Sequence, residues 1–160
     1  MLDALARLLS PSVAEGGNGG ARALVELYAQ AAEQAQDSGR KTAYLEKVAL
    51  LWEELLGDPA RAARAYEQVL AIDADHRGAV LGLQRTATRS GDTRTLARAL
   101  LDEARLSNDG PARSALQTRA AAAFAESDPA RARQLVRDVL GRDPRNMAAR
   151  TLEMLSLIHI

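Results

Sequence analysis

From about Ala21 onward, apolar side chains recur three and four positions apart, in runs of roughly 12–16 residues broken by short polar stretches. Leu45, Val48, Ala49 and Trp52 form one stripe. Ala62, Ala65, Tyr66, Val69 and Leu70 form the next. This spacing is that of an amphipathic helix. No alternating run rich in Val, Ile and Thr offers a strand instead. The pattern predicts helices over about 2–9, 21–36, 42–56, 59–72, 77–89, 93–106, 112–126 and 129–141, with a ninth starting near Asn146.

The breaks have the chemistry of helix ends. In "DPARA", at Asp58 and again at Asp128, the carboxylate can cap the free N–H groups of the first turn. The following Pro occupies a position where its missing N–H costs nothing. "SGDT" (90–93) and "SNDGP" (107–111) offer similar capping residues, and "DSGRK" (37–41) and "DADH" (73–76) read as turns. "SPSVAEGGNGG" (10–20) reads as a Gly-rich loop. Connections of about two to five residues favour antiparallel neighbours.

The chain also repeats itself. "DPARAARAYEQVL" from Asp58 returns as "DPARARQLVRDVL" from Asp128, 70 residues later, and "SGDTRTLARALLDEA" supplies a middle member. Asp58, Asp92 and Asp128 then occupy one equivalent turn, 34 and 36 residues apart. One helical hairpin cannot bury both of its apolar faces, whereas stacked hairpins can. Tyr66, Val69, Leu83 and Leu96 are the side chains expected to bridge adjacent hairpins.

A helix–turn–helix unit with this period is the signature of tetratricopeptide repeats. The chain resembles that family in its bacterial form, with "LGDPxRAxxAY" turns. The first repeat is similar to the family pattern at Gly57, Ala62, Tyr66 and Val69. Trp52 takes the first-helix aromatic position if the turn is one residue longer than usual. Leu83, Ala87, Gly91, Leu96 and Leu100 match in the second repeat. Leu116, Ala120, Ala123, Ala132, Val136, Val139 and Pro144 match in the third. Ala74 stands where Pro is usual, and Gln84, Glu103 and Arg119 stand where small or apolar residues are usual.

The resemblance implies an all-α fold, an α-solenoid of antiparallel hairpins wound as a right-handed superhelix. Residues 1–41 would be a degenerate repeat with the Gly-rich loop. Residues 42–154 would be the array (about 42–76, 77–112, 113–146 and the start of a fourth). The concave groove would be lined by Ala43, Glu46, Leu50, Glu53 and Glu54, then Leu81, Arg85, Thr88 and Arg89, then Ser114, Gln117, Ala121 and Phe124. An acidic patch would precede a basic one. The function so implied is a non-enzymatic scaffold that binds a protein or peptide in that groove. The alternative is a regulatory or sensory segment of a larger multidomain bacterial protein, linked to an enzyme outside this sequence. The clamp of the chaperone-binding members does not carry over, because Arg85 and Arg89 have no Asn or Lys beside them.

Composition narrows the partners. The 21 basic and 21 acidic residues cancel, which argues against a dedicated nucleic-acid surface. All the basic residues except Lys41 and Lys47 are Arg. There is no Cys, which removes disulfides and thiolate ligands. No stretch reaches the ~20 apolar residues of a membrane span, and "MLDALARLLSPSV" lacks the basic start of a signal peptide. A cytoplasmic location is expected. No cofactor, metal or catalytic set is expected either. His76 reads as an exposed first-turn residue, "GGNGG" lacks the Lys of a phosphate loop, and Glu53 and Glu54 read as solvated surface more than as groove acids. The ending "LSLIHI" (155–160) breaks the Ala/Arg-rich style. It resembles a translated sequencing-library adapter, so these residues are expected to be non-native and the fourth repeat cut short. An end truncated there would leave an open surface through which copies could associate.

Overall fold

The computed structural model describes residues 18–158. These form eight helices and no strand: α1 (Asn18–Gln34), α2 (Ser38–Leu50), α3 (Pro59–Ile72), α4 (Arg77–Ser90), α5 (Thr93–Leu106), α6 (Gly110–Phe124), α7 (Pro129–Arg142) and α8 (Met147–Ile158). A single π turn, Leu51–Leu55, continues α2. The expected helix over 2–9 and most of the expected Gly-rich loop lie outside the described residues. The end of that loop, Asn18–Gly20, is the first turn of α1 instead.

The chain divides into two compact units between Ser90 and Gly91. That division falls between the two helices of the expected second repeat. In each unit, helices adjacent in sequence pack together: α1 on α2, α2 on α3 and α3 on α4 in the first, then α5 on α6, α6 on α7 and α7 on α8 in the second.

Asp caps set the starts. Asp37, Asp58, Asp92, Asp109 and Asp128 each accept a hydrogen bond from the backbone N–H three residues on, at 2.8 to 3.3 Å. Asp37 explains why α2 starts at Ser38, ahead of the expected 42. Each cap satisfies a donor that the helix cannot pair internally. Gly57 and Gly91 have φ of 62° and 72°, a left-handed conformation that glycine adopts without steric cost. At Gly57 it sends the Asp58 N–H back to the Trp52 carbonyl at 2.9 Å.

Tyr66, Val69 and Val80 of the first unit are essentially inaccessible, and Ala62 and Leu83 are buried as well. A β-carbon on Gly82 would fall inside the Tyr66 ring, so only glycine lets α4 seat against that ring. Seventy residues on, the same two positions are Val136 and Leu152. There a smaller side chain on α7 meets a larger one on α8, within the cluster of Ala121, Val136, Val139 and Ala149. The repeat keeps the volume filled while exchanging which helix supplies it.

The second unit has two further clusters. Leu100, Ala104, Leu116 and Ala120 pack together with Leu96 at their edge. Ala97, Phe124 and Ala132 form the other. Trp52 is only partly buried, and the Arg61 guanidinium lies over its ring at 4.5 Å. Pro144 is exposed in the α7–α8 turn. Leu155 lies in α8 and is exposed. His159 and Ile160 of the expected non-native ending lie outside the described residues.

Candidate functional site

The helix interrupted by the π turn carries the main polar cluster. An α turn closes with i to i+4 bonds. Here the Leu56 N–H returns to the Leu51 carbonyl, five residues back, at 3.0 Å. The change of pitch rotates Glu53 inward, to 4% exposure, and leaves Glu54 exposed. Glu53 is therefore not the solvated surface acid that the adjacent Glu-Glu pair suggests. Its side chain faces α3 and α4.

There it is fully engaged. The Tyr66 hydroxyl donates to Oε2 at 2.8 Å. Arg85 donates from Nε to Oε1 and from Nη2 to Oε2, both at 2.9 Å. Arg89 donates from Nη1 to the Glu53 backbone carbonyl at 3.1 Å, and the same atom is 4.0 Å from Oε1. A buried carboxylate is tolerated only with such partners. The Arg85 hydrogen bonds hold the Glu53 carboxyl below its ordinary value against the opposing effect of burial. Burial, then the bond to Glu53, pushes the Tyr66 hydroxyl well above its ordinary value. The Arg85 guanidinium is held in its charged form by the bond to Glu53.

A second bridge lies lower on the same helices. The His76 Nε2 is 3.9 Å from Glu46 Oε2. His76 is not a plain exposed residue: it is partly buried, and its Nδ1 accepts the Ala79 N–H at 3.1 Å as the cap of α4. Asn146 does the same for Ala149 at the start of α8, at 3.0 Å. Glu46 also lies against Gly78, and Glu53 against Arg85, each pair 32 residues apart. A constant offset means that α2 with its π turn and α4 run in the same direction, bridged by these long side chains. Leu50 and Leu81 fall between the two bridges and are 37% and 44% exposed.

The thirteen expected groove residues separate accordingly. In the first unit Ala43, Leu50, Glu54, Leu81, Arg85, Thr88 and Arg89 are exposed and Glu46 is partly so. Glu53 is buried beneath them. The expected acidic patch loses Glu53, which is buried and paired with Arg85 and Arg89, while Glu54 stays exposed. In the second unit Ser114 and Gln117 are partly buried. Gln117 accepts from Arg142 at 2.7 Å. Ala121 and Phe124 are core residues at 1% and 3% exposure, and the Arg131 guanidinium lies over the Phe124 ring at 5.4 Å. Helix α6 turns Ala121 toward α7 and α8 and Phe124 toward α5 and α7, so neither lines an open groove.

Among the described residues, no group of three His, Asp or Glu side chains is placed to hold a metal ion. No helix among them is long and apolar enough to cross a membrane. Comparison with protein-family models, curated proteins and solved structures gave no match. The described residues are all-helical, in sequence-adjacent helix pairs, and the sequence carries an internal repeat.

Proposed function

We propose that the chain is a non-enzymatic protein-interaction scaffold of tetratricopeptide type, which holds a peptide or helix of a partner on the α2/α4 face of its first unit. One observation carries this reading: Leu50 and Leu81 stand exposed on two parallel helices, between the Glu53–Arg85 ion pair on one side and the close approach of Glu46 to His76 on the other. Apolar side chains presented on a rigid, fixed spacing can anchor a partner with little ordering cost. The polar cluster above them supports a binding role over a catalytic one. Its titrating groups, Glu53 and Tyr66, are driven away from neutrality in opposite directions, whereas a general acid or base works best with its pKa near the operating pH.

The test compares the wild-type chain with the double variant Leu50→Glu/Leu81→Glu in affinity capture from the source organism, read by mass spectrometry. A partner retained by the wild type and lost by the variant, with the two melting alike, is the expected result. Equal capture by both proteins would overturn the assignment of this face.

A further inference from the structure

The same face also carries a charge signature that selects among partners, a selectivity that rests on the scaffold reading of that face. Arg85 and Arg89 lie one helical turn apart on α4, so their guanidiniums are neighbours. Together they bring two positive charges to a single carboxylate, and that carboxylate is buried while the two Arg side chains are 51% and 48% exposed. What solvent meets on α4 one and two turns beyond Leu81 is guanidinium. Each Arg carries five N–H donors. Arg85 directs Nε and Nη2 at Glu53, and Arg89 directs Nη1 at the Glu53 carbonyl. Arg85 also lies 3.4 Å from the Tyr66 hydroxyl through Nη2. The Nη1 group of Arg85 and the Nη2 group of Arg89 enter none of these bonds. The bidentate grip of Glu53 fixes the Arg85 fork in place, which lowers the cost of using its remaining donors. Leu81 precedes Arg85 by one turn, and Leu50 precedes Glu54 by one turn. Glu54 is exposed and Glu46 partly so, and both acids oppose an anion.

We infer that the α2/α4 face selects a partner segment in which an Asp or Glu side chain sits one turn from an apolar side chain, the acid meeting Arg85 and Arg89 and the apolar group meeting Leu50 and Leu81. A partner carboxylate gives the Arg85 and Arg89 donors left outside the Glu53 bonds a charged acceptor.

The probe is a library of random peptides displayed on phage, panned against the full chain. Recovered peptides are then synthesised and titrated by fluorescence anisotropy at low and high salt. The expected peptides pair Asp or Glu with Leu, Ile, Met or Phe. Converting the peptide's acid to its amide weakens binding roughly tenfold at low salt and less at high salt, where exposed charges are screened. Arg89→Gln gives a similar loss, and the two changes together cost little more than either alone. Glu54→Gln tightens binding. Arg89 is chosen over Arg85 because removing Arg85 strands a buried carboxylate. Should Arg89→Gln not fold, the acid-to-amide comparison on the wild type decides. Peptides that need Leu50 and Leu81 but lack an acid, or that bind Arg89→Gln equally, overturn this inference and leave the scaffold reading standing. Recovery of no peptide, or only of peptides indifferent to Leu50→Glu/Leu81→Glu, overturns both.

Discussion

Replacing Glu53 by Gln removes one charge and almost no volume, so it isolates the polar cluster from packing. The wild-type carboxylate accepts from Tyr66 at 2.8 Å and twice from Arg85 at 2.9 Å. An amide keeps one acceptor oxygen and turns an N–H₂ group toward donors on the other side. At least one charge-assisted bond becomes a donor–donor contact. Bonds to charged groups contribute about 1.5–3 kcal/mol each, and breaking a buried pair costs about 3–5 kcal/mol. Arg85 is half exposed and water can take up its freed donors, which places the expected loss near ~2–3 kcal/mol. Urea denaturation followed by far-UV circular dichroism measures it. Glu54→Gln, on the exposed neighbour, should stay within ~0.5 kcal/mol of the wild type. The pH dependence has a definite sign. The folded-state value of Glu53 lies below its ordinary 4.5, so its stabilisation is present above that value and is lost as pH falls through the lowered one. The gap between wild type and Glu53→Gln should therefore narrow on acidification. A loss under ~0.5 kcal/mol at neutral pH, or a gap that widens in acid, would refute the account of this cluster.

Packing and caps give further expected outcomes. Tyr66→Ala should cost ~3–5 kcal/mol in a urea or thermal melt, as truncation of a buried aromatic does, and Tyr66→Phe ~1–2 kcal/mol through the lost hydroxyl bond. Gly82→Ala should destabilise by ~1–3 kcal/mol despite the better helix propensity of Ala, because its methyl enters the Tyr66 ring. The exchange Tyr66→Val/Gly82→Leu should cost at least ~1 kcal/mol less than the sum of its single changes. Asp92→Ala should cost ~1 kcal/mol by removing the bond to the Thr95 N–H. That bond holds the Asp92 carboxyl below its ordinary 3.8, so the cost should fade as pH falls below that value.

The helices and their starts were legible because each signal is local. An Asp cap, a Pro in the first turn and an apolar stripe are all readable within a few residues, and the structure places α3, α5 and α7 where those signals lie. Glu53 was not legible, because its burial depends on a π turn that α-helical periodicity does not contain. Its partners, Tyr66 and Arg85, lie 13 and 32 residues away, beyond any helical spacing. Gly82, a glycine inside a helical stripe, was the available sign of a close approach to another element. Ala121 and Phe124 were misplaced for a related reason: the stripe says that one face is buried, but not which neighbour covers it. Leu50 and Leu81, two of the expected groove residues, are both exposed.

Whether the α2/α4 face of the first unit receives a partner segment is tested most directly by amide chemical-shift mapping with a peptide recovered from the display experiment. Saturable shifts clustered at Leu50, Leu81, Thr88 and Arg89, and absent in Leu50→Glu/Leu81→Glu, are the predicted result. Saturable shifts confined to residues of the second unit, or unchanged in the double variant, would contradict it.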